Sequence, residues 1–183
     1  MTDPLAGLPA NQADTHSPAR LRLRGFNRSL PMVLLRAREA VMRHFRPPLR
    51  HYDLTEQQWR VLRALASHHG PIEVTLLATA TYILPPSLSR ILKDLAARQL
   101  IERNRSERDG RASLVALSSA GSEMIATIGP VSERIYAEIT NRFGPEKMAE
   151  LMGLLRELEA VLTEGAPISH AMGYDTNAAA EDD

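Results

Sequence analysis

Two hydroxyls and two cations lie close together in the segment 84–97, which reads LPPSLSRILKDLAA. They are Ser87, Ser89, Arg90 and Lys93. Serine can hydrogen-bond to phosphates or base edges, and arginine and lysine can reach the acceptor atoms of guanine. On a helix with about 100° per residue, both cations fall on one side, flanked by the serines. The chemistry expected of such a surface is recognition of a DNA major groove.

The same segment has the pattern of a helix that could present those groups. Its apolar residues fall at i, i+3, i+4 and i+7 and form one stripe on the opposite side: Leu88, Ile91, Leu92 and Leu95. The two prolines at its start suit a first helical turn, where a missing N–H is tolerated. A short helix is predicted over 75–81 and a turn over 82–84, so the sequence indicates a helix-turn-helix.

A basic hairpin is predicted directly after this helix. Residues 101–105 and 112–118 are short β-like runs, and the polar tip between them contains Asp109-Gly110, a strong signal for a tight turn. Residues 72–73 are a candidate third strand. Arginines on a loop are by themselves usually a solvated surface. Their order here, in Arg105, Arg108 and Arg111 after a recognition helix, favours a wing that offers arginine to a minor groove.

The charge is strongly divided along the chain, although the formal net charge is zero. Residues 20–112 contain 18 Lys and Arg against 8 Asp and Glu, a net charge of +10, whereas residues 113–183 carry −8. The basic part includes the predicted helix-turn-helix and wing, as expected for a nucleic-acid-binding surface.

Other functional classes find little support in the sequence. The absence of cysteine excludes disulfides, thiolate metal sites and a cysteine nucleophile. No hydrolase, zinc-protease or phosphate-loop motif is present, so we expect neither an enzyme nor a metal or cofactor site. There is no apolar run of membrane-spanning length and no pattern of a secretion signal at the N-terminus, and we expect a cytoplasmic protein without membrane partners.

Helices are predicted on both sides of this unit. The first covers about 30–46 and ends at Pro47-Pro48. The second starts at a capping box, Thr55 to Gln58, and carries Trp59 on its apolar side. A helix capped by Ser118 or Ser119 extends to about 143, with a kink or local break expected at Gly129-Pro130, and a last helix covers 146–163.

These predictions give a mainly α fold with the following organisation. Residues 54–118 form a winged helix-turn-helix with a two- to three-stranded wing, and residues 26–53 with 119–164 form dimerisation helices. Residues 1–25 and 165–183 are expected to be disordered tails. The flanking helices carry more apolar surface than one small domain needs, so we expect an intertwined homodimer on a palindromic site, with recognition helices roughly 34–36 Å apart. A monomer with a self-contained helical cap is the alternative.

With these residues in place, the chain resembles the MarR family of winged-helix regulators over about residues 30–162. The most family-specific part is the wing sequence ERDGR at 107–111. The segment 34–65, LLRAREAVMRHFRPPLRHYDLTEQQWRVLRAL, is similar to that of homoprotocatechuate-degradation repressors. The resemblance to nicotinate-degradation regulators of Bordetella-type bacteria is closer still.

This resemblance implies a dimeric repressor that leaves its operator when a small hydroxylated phenyl or pyridine carboxylic acid binds. By position, the resemblance assigns the carboxylate to Arg38, with Arg46, His51 and Trp59 as further residues of the pocket. An arginine can bind a carboxylate in bidentate fashion. The alternatives are an interfacial salt bridge for Arg38 and a packing role for Trp59, which is the only tryptophan.

Two functions remain open at this point. One is the ligand-responsive repressor, and the other is an architectural or adaptor winged helix that responds to no effector. Many relatives sense oxidants through cysteine; because this chain has none, a bound ligand is the more plausible signal.

Overall fold

The computed structural model describes residues 25–68, 70–105 and 113–164. The described residues fall into two units, divided between Ala40 and Val41. The described elements are a 3₁₀ turn at Phe26–Arg28, α1 (Leu30–His51), α2 (Glu56–Ser67), β1 (Ile72–Glu73), α3 (Val74–Thr81), α4 (Pro85–Ala97), β2 (Ile101–Arg105), β3 (Ser113–Leu117), α5 (Ser119–Phe143) and α6 (Pro145–Glu164). The expected tails and the tip of the wing lie outside the described residues.

Helix α1 does not end at the double proline, and that prediction is wrong. Pro47 and Pro48 are inside the helix, which continues to His51. Each proline removes one backbone N–H from the helical ladder. The residues on either side of them, Phe45 and Leu49, are buried in the hydrophobic core. Their packing therefore holds the helical conformation where local preference disfavours it.

Helix α2 begins at the predicted capping box. The Thr55 hydroxyl accepts the N–H of Gln58 at 3.1 Å, and the Gln58 side chain accepts the N–H of Thr55 at 2.8 Å. The buried side of the helix supplies much of the core, through Trp59, Val61, Leu62 and Leu65.

Helices α3 and α4 form the helix-turn-helix. Tyr82 ends α3 in the left-handed conformation, with φ 51°, and this reverses the chain direction. Pro85 and Pro86 occupy the first positions of α4 as predicted. The apolar stripe of α4 is confirmed, since Leu88, Leu92 and Leu95 are fully buried and Ile91 is partly buried.

The sheet has three antiparallel strands in the order β1-β3-β2. Ile72 pairs with Val115, and Ile101 pairs with Leu117, so the candidate strand at 72–73 closes the wing sheet. Val115 in the central strand is fully buried and joins the sheet to the core under the helix-turn-helix.

Helix α5 is continuous, and the expected local break at Gly129-Pro130 does not occur. Its N-cap is Ser118, whose hydroxyl accepts the N–H of Gly121 at 3.0 Å. Ile128 and Ser132 are buried on either side of the proline, so packing again keeps the helix intact. Together the six helices and the small antiparallel sheet confirm a mainly α fold with a winged helix-turn-helix.

Candidate nucleic-acid interface

The exposed side of α4 carries the four predicted DNA-binding residues of this helix. Ser87, Ser89, Arg90 and Lys93 are all exposed, whereas the leucines on the opposite side are buried. Among the described residues, no carboxylate forms an ion pair with Arg90 or Lys93. Burial of the leucine side holds α4 against the core, and the exposed side is available to a binding partner.

The C-terminal part of α4 is hydrogen-bonded to the corner between α1 and α2. The Gln58 side-chain amide donates to Asp94 Oδ2 at 2.6 Å. The Arg98 guanidinium donates to the carbonyl of Asp53 at 2.7 Å and to that of Tyr52 at 3.1 Å. Asp53 has a positive φ of 53°, so this cation stabilises a tight corner. These contacts connect the recognition helix to α2.

The turn of the helix-turn-helix also contacts the C-terminal helix. The Tyr82 hydroxyl donates a hydrogen bond of 2.7 Å to Glu159 Oε1 in α6. This hydrogen bond and the negative charge of the Glu159 carboxylate raise the pKa of Tyr82 above its ordinary value. The contact was not foreseen from the sequence, because the two residues are far apart in the chain.

The wing arginines are described only in part. The backbone of Arg105 lies at the end of β2 and pairs with Ser113. Its side chain, and the whole of Arg108 and Arg111, lie outside the described residues. Their predicted contacts with DNA therefore stay predictions.

The four residues assigned to an effector differ in their surroundings. Arg38 belongs to the first unit, is exposed and forms an ion pair of 2.7 Å with Glu39. In the second unit, Arg46 forms an ion pair with Glu56, and both line a cavity of about 230 Å³. His51 is exposed and meets the ring of its neighbour Tyr52 edge-on, with centroids 5.0 Å apart.

Trp59, the fourth of these residues, lies in the core with 6% of its surface exposed. This position agrees with the packing role that the sequence left open. No described contact brings Trp59, His51 and Arg46 together around one cavity.

A cationic and aromatic cluster, missed in the sequence, lies where α2 meets α5. Arg63 Nη1 donates to the Tyr136 hydroxyl at 3.2 Å, and the guanidinium carbon lies 5.7 Å from the centre of that ring. The Tyr136 ring packs on Phe45 of α1 with centroids 4.8 Å apart. Arg63 follows Trp59 by one helical turn, which was the only sequence signal for it.

A larger cleft lies between α1 and α5, with a volume of about 350 Å³. It is lined by His44, Val131, Arg134, Ile135, Glu138, Ile139 and Arg142. The wall from α5 recurs with the period of one helix face, so the mixed apolar and charged character of this face could have been predicted from 131–142, whereas its meeting with α1 could not. None of the four predicted effector residues lines it.

The described part of the chain contains no group of three or more His, Asp or Glu side chains that could hold a metal ion. Within the same residues, no helix is long and apolar enough to cross a bilayer.

Comparison with known proteins identifies the family. The model of the MarR family matches residues 52–112. The chain is 38% identical over 133 residues to the HTH-type transcriptional regulator FarR of Neisseria gonorrhoeae, covering 73% of this chain and 90% of the relative. It is 37% identical over 133 residues to the homoprotocatechuate degradative operon repressor of Escherichia coli, covering 73% of this chain and 89% of the relative. The chain belongs to the MarR family.

Solved structures support the same assignment to the MarR family. NadR in complex with 4-hydroxyphenylacetate is 34% identical, with a TM-score of 0.67 over 74% of this chain and 98% of the NadR chain. The repressor CouR bound to a 23-mer DNA duplex is 26% identical, with a TM-score of 0.67 over 77% of this chain and 99% of the CouR chain.

The chain is also similar to a regulator whose DNA binding responds to a pyridine carboxylic acid. BpsR of Bordetella bronchiseptica, whose DNA binding is regulated by 6-hydroxynicotinic acid, is 24% identical with a TM-score of 0.67 over 75% of this chain and 97% of the BpsR chain. At this identity the similarity to BpsR shows a shared fold alone. The relatives at 38% and 37% identity show that the protein is a transcriptional regulator of the MarR family.

Proposed function

We propose that the protein is a homodimeric repressor that occupies a palindromic DNA operator and is released from it by a small aromatic carboxylic acid. The observation that carries this proposal is α4, whose leucine side is buried while Ser87, Ser89, Arg90 and Lys93 are exposed. Two relatives support the same function: the repressor CouR, which is bound to a 23-mer DNA duplex, and the repressor of the homoprotocatechuate operon.

The homodimer is supported by apolar surface on the C-terminal helix. Exposed large apolar residues recur along α6: Leu151, Met152, Leu154, Leu155, Val161 and Leu162. Within the first unit, exposed apolar residues also occur on the 3₁₀ turn and α1: Phe26, Leu30, Val33, Leu34 and Leu35. Contiguous apolar surface of this kind marks an interface between proteins. A second copy of the chain would also supply a second recognition helix for the palindrome.

For the effector we propose the cluster of Arg63, Tyr136 and Phe45. The ligand named for NadR, 4-hydroxyphenylacetate, combines one aromatic ring with one carboxylate. The Arg63 guanidinium can donate to a carboxylate, and the partly exposed Tyr136 ring can stack on the ligand. At Arg38 and Arg46 the ligand would compete with the carboxylates of Glu39 and Glu56. These two residues, with His51 and Trp59, remain predictions.

Helix α2 connects this cluster to the recognition helix. Arg63 lies on α2, and Gln58 of the same helix donates to Asp94 of α4. A ligand that displaces α2 would therefore move α4 through this hydrogen bond. The ligand releases DNA only to the extent that it binds the DNA-incompetent arrangement more tightly.

The test is an electrophoretic mobility shift at fixed salt on the DNA upstream of the protein's own gene. A panel of hydroxylated phenyl and pyridine carboxylates, including 4-hydroxyphenylacetate, is titrated into the complex. We expect a sharp shift that one compound reverses. A specific shift that no compound reverses would reject the effector, and a steep salt dependence without sequence preference would reject the repressor in favour of an architectural protein.

Two matched variants locate the effector. The measured quantity is the effector concentration that releases half of the bound DNA. The variants are compared after each one's operator affinity has been taken into account. Arg63→Met should raise this concentration by about tenfold or more, since a hydrogen bond to a charged group contributes about 1.5–3 kcal/mol. Arg134→Met removes the same charge from the cleft between α1 and α5 and should leave release unchanged. The reverse result would place the effector in that cleft.

A further inference from the structure

The N-cap residue of the recognition helix, like that of α3, forms no side-chain capping hydrogen bond. Thr55 before α2 and Ser118 before α5 each accept a hydrogen bond from their helix. The corresponding residue of α4 is Leu84, which forms no capping hydrogen bond. Leucine is among the residues least suited to this position, where a side-chain oxygen stabilises the helix.

Leu84 does not contribute to the core either, since 75% of its surface is exposed. The core under the helix-turn-helix is supplied by its neighbours, including Ile83 and Leu88. An apolar side chain that neither caps nor packs brings no stability to the fold. Positions that break a local rule without a structural benefit are expected at functional sites.

The backbone of Leu84 is nevertheless held in one conformation. Its carbonyl accepts the N–H of Leu88 at 2.9 Å, and its φ of −59° and ψ of 139° are in the extended region that the following Pro85 favours. The protein therefore presents this side chain at a fixed place, with little backbone entropy to lose on binding.

The neighbouring residues indicate what Leu84 meets. It lies one turn before Ser87, at the N-terminal end of the helix whose exposed side carries Ser89 and Arg90. The other large exposed side chain of the turn, Tyr82, is bonded through its hydroxyl to Glu159. N-terminal residues of a recognition helix face base edges in the major groove. There the only apolar group of a base pair is the C5-methyl group of thymine.

We propose that Leu84 is a specificity-determining residue that contacts the C5-methyl group of a thymine in each operator half-site. This assignment rests on the proposed DNA-binding function and adds to it the base that the start of α4 recognises. The contact would favour thymine over cytosine at that position, without any hydrogen bond from Leu84.

The first experiment removes the methyl group from the DNA. The operator is located by footprinting on the upstream DNA, and each thymine of the half-sites is replaced in turn by deoxyuridine, which has the same base pairing. With wild-type protein, we expect about a fourfold loss of affinity at one symmetric pair of thymines, as for removing one buried methyl group. Equal affinity for every deoxyuridine duplex would overturn the proposal.

The second experiment removes the side chain from the protein. Leu84→Ser removes the contact in both half-sites, so its affinity for the thymine operator should fall by about sixteenfold. The variant should no longer distinguish thymine from deoxyuridine at that pair. The variant remains folded, since its hydroxyl can accept the N–H of Ser87. We expect its melting temperature to rise by about 2–4 °C. An unchanged ratio of thymine to deoxyuridine affinity would overturn the proposal.

Leu76→Ser is the matched control. Leu76 is another exposed leucine, with 58% of its surface accessible, but it lies in α3 and outside the recognition helix. Its ratio of thymine to deoxyuridine affinity should equal that of the wild type. The experiments distinguish failure of the repressor function from failure of the Leu84 contact. If the protein does not bind unmodified DNA specifically, the repressor function is wrong. Specific binding with no methyl dependence contradicts only the role of Leu84.

Discussion

Three cations in and directly after α4 have different surroundings. Arg98 donates to the carbonyls of Tyr52 and Asp53 and holds the corner between α1 and α2. Arg90 and Lys93 are exposed on the side of the helix that carries the serines. The sequence predicted on which side of the helix each residue lies, because the helical period determines this position. It could not supply the acceptors of Arg98, which come from another part of the chain.

For Arg90 we predict a direct contact with the operator. Arg90→Ala should weaken operator binding by about 1–3 kcal/mol if the guanidinium reads a guanine, and the loss should be largest for operators that keep this base. Lys93→Ala should instead weaken binding to all sequences. Because the homodimer loses two phosphate contacts, the slope of log K against log[salt] should decrease in magnitude by about 1.8. The measurement is a fluorescence-anisotropy titration at several salt concentrations.

Arg142→Ala is the control for these variants, since Arg142 lies in α5 and pairs with Glu138. It lowers the charge by the same amount away from the helix-turn-helix. If Arg142→Ala weakened binding as much as Arg90→Ala, the effect would come from net charge, and the assignment of Arg90 would be wrong.

At the scale of the elements, local signals predicted how helices begin better than where they end. The capping hydroxyls of Thr55 and Ser118 were readable because the N-cap bonds only to its own first turn. Pro47-Pro48 was interpreted as the end of a helix and Gly129-Pro130 as a kink or local break, yet neither helix is interrupted. Packing of residues on either side of each proline decides these cases, and a single sequence does not show that packing.

At the predicted effector site, contacts between residues that are far apart in the chain could likewise not be predicted from the sequence. The sequence indicated arginines near the first two helices, but the partner of Arg46, Glu56, became known only from the fold. Arg63 and Tyr136 were not selected, because a contact between α2 and α5 has no local signal.

The start of α5 is tightly packed, and we predict that it does not tolerate a larger residue. A Cβ atom added at Gly121 would lie 2.0 Å from the backbone carbonyl oxygen of Leu100, which accepts the N–H of Ser118. Backbone cannot move aside as a side chain can, so Gly121→Ala should destabilise the protein by about 1–3 kcal/mol. Thermal unfolding should show a melting temperature lower by several degrees.

Gly129→Ala provides a comparison within the same helix. No atom lies within 4 Å of a Cβ added at Gly129, so alanine there should preserve or raise the melting temperature through its higher helix propensity. Equal melting temperatures for Gly121→Ala and the wild type would show that α5 does not approach Leu100 so closely.

At the scale of the whole molecule, the charge division separates two tasks. The basic part of the sequence, with net charge +10 over residues 20–112, contains the helix-turn-helix, and the acidic part contains α5 and α6. The negative charge on the C-terminal helices disfavours their contact with DNA. Their exposed apolar residues instead favour contact with another protein surface, and the assignment of 26–53 and 119–164 to a dimer interface remains a proposal.

For the dimer we predict that one charge in α6 separates the protomers. Leu154, with 56% of its surface exposed, becomes buried if α6 packs on a second copy, and Leu154→Asp would then place an unpaired carboxylate in the interface. Sedimentation equilibrium should show a dimer for the wild type and a monomer for the variant. Operator affinity should fall by about 10²–10⁴-fold, because each half-site is then bound independently. Leu76→Asp, a similarly exposed leucine in α3, should remain dimeric; a dimeric Leu154→Asp protein would exclude this part of α6 from the interface.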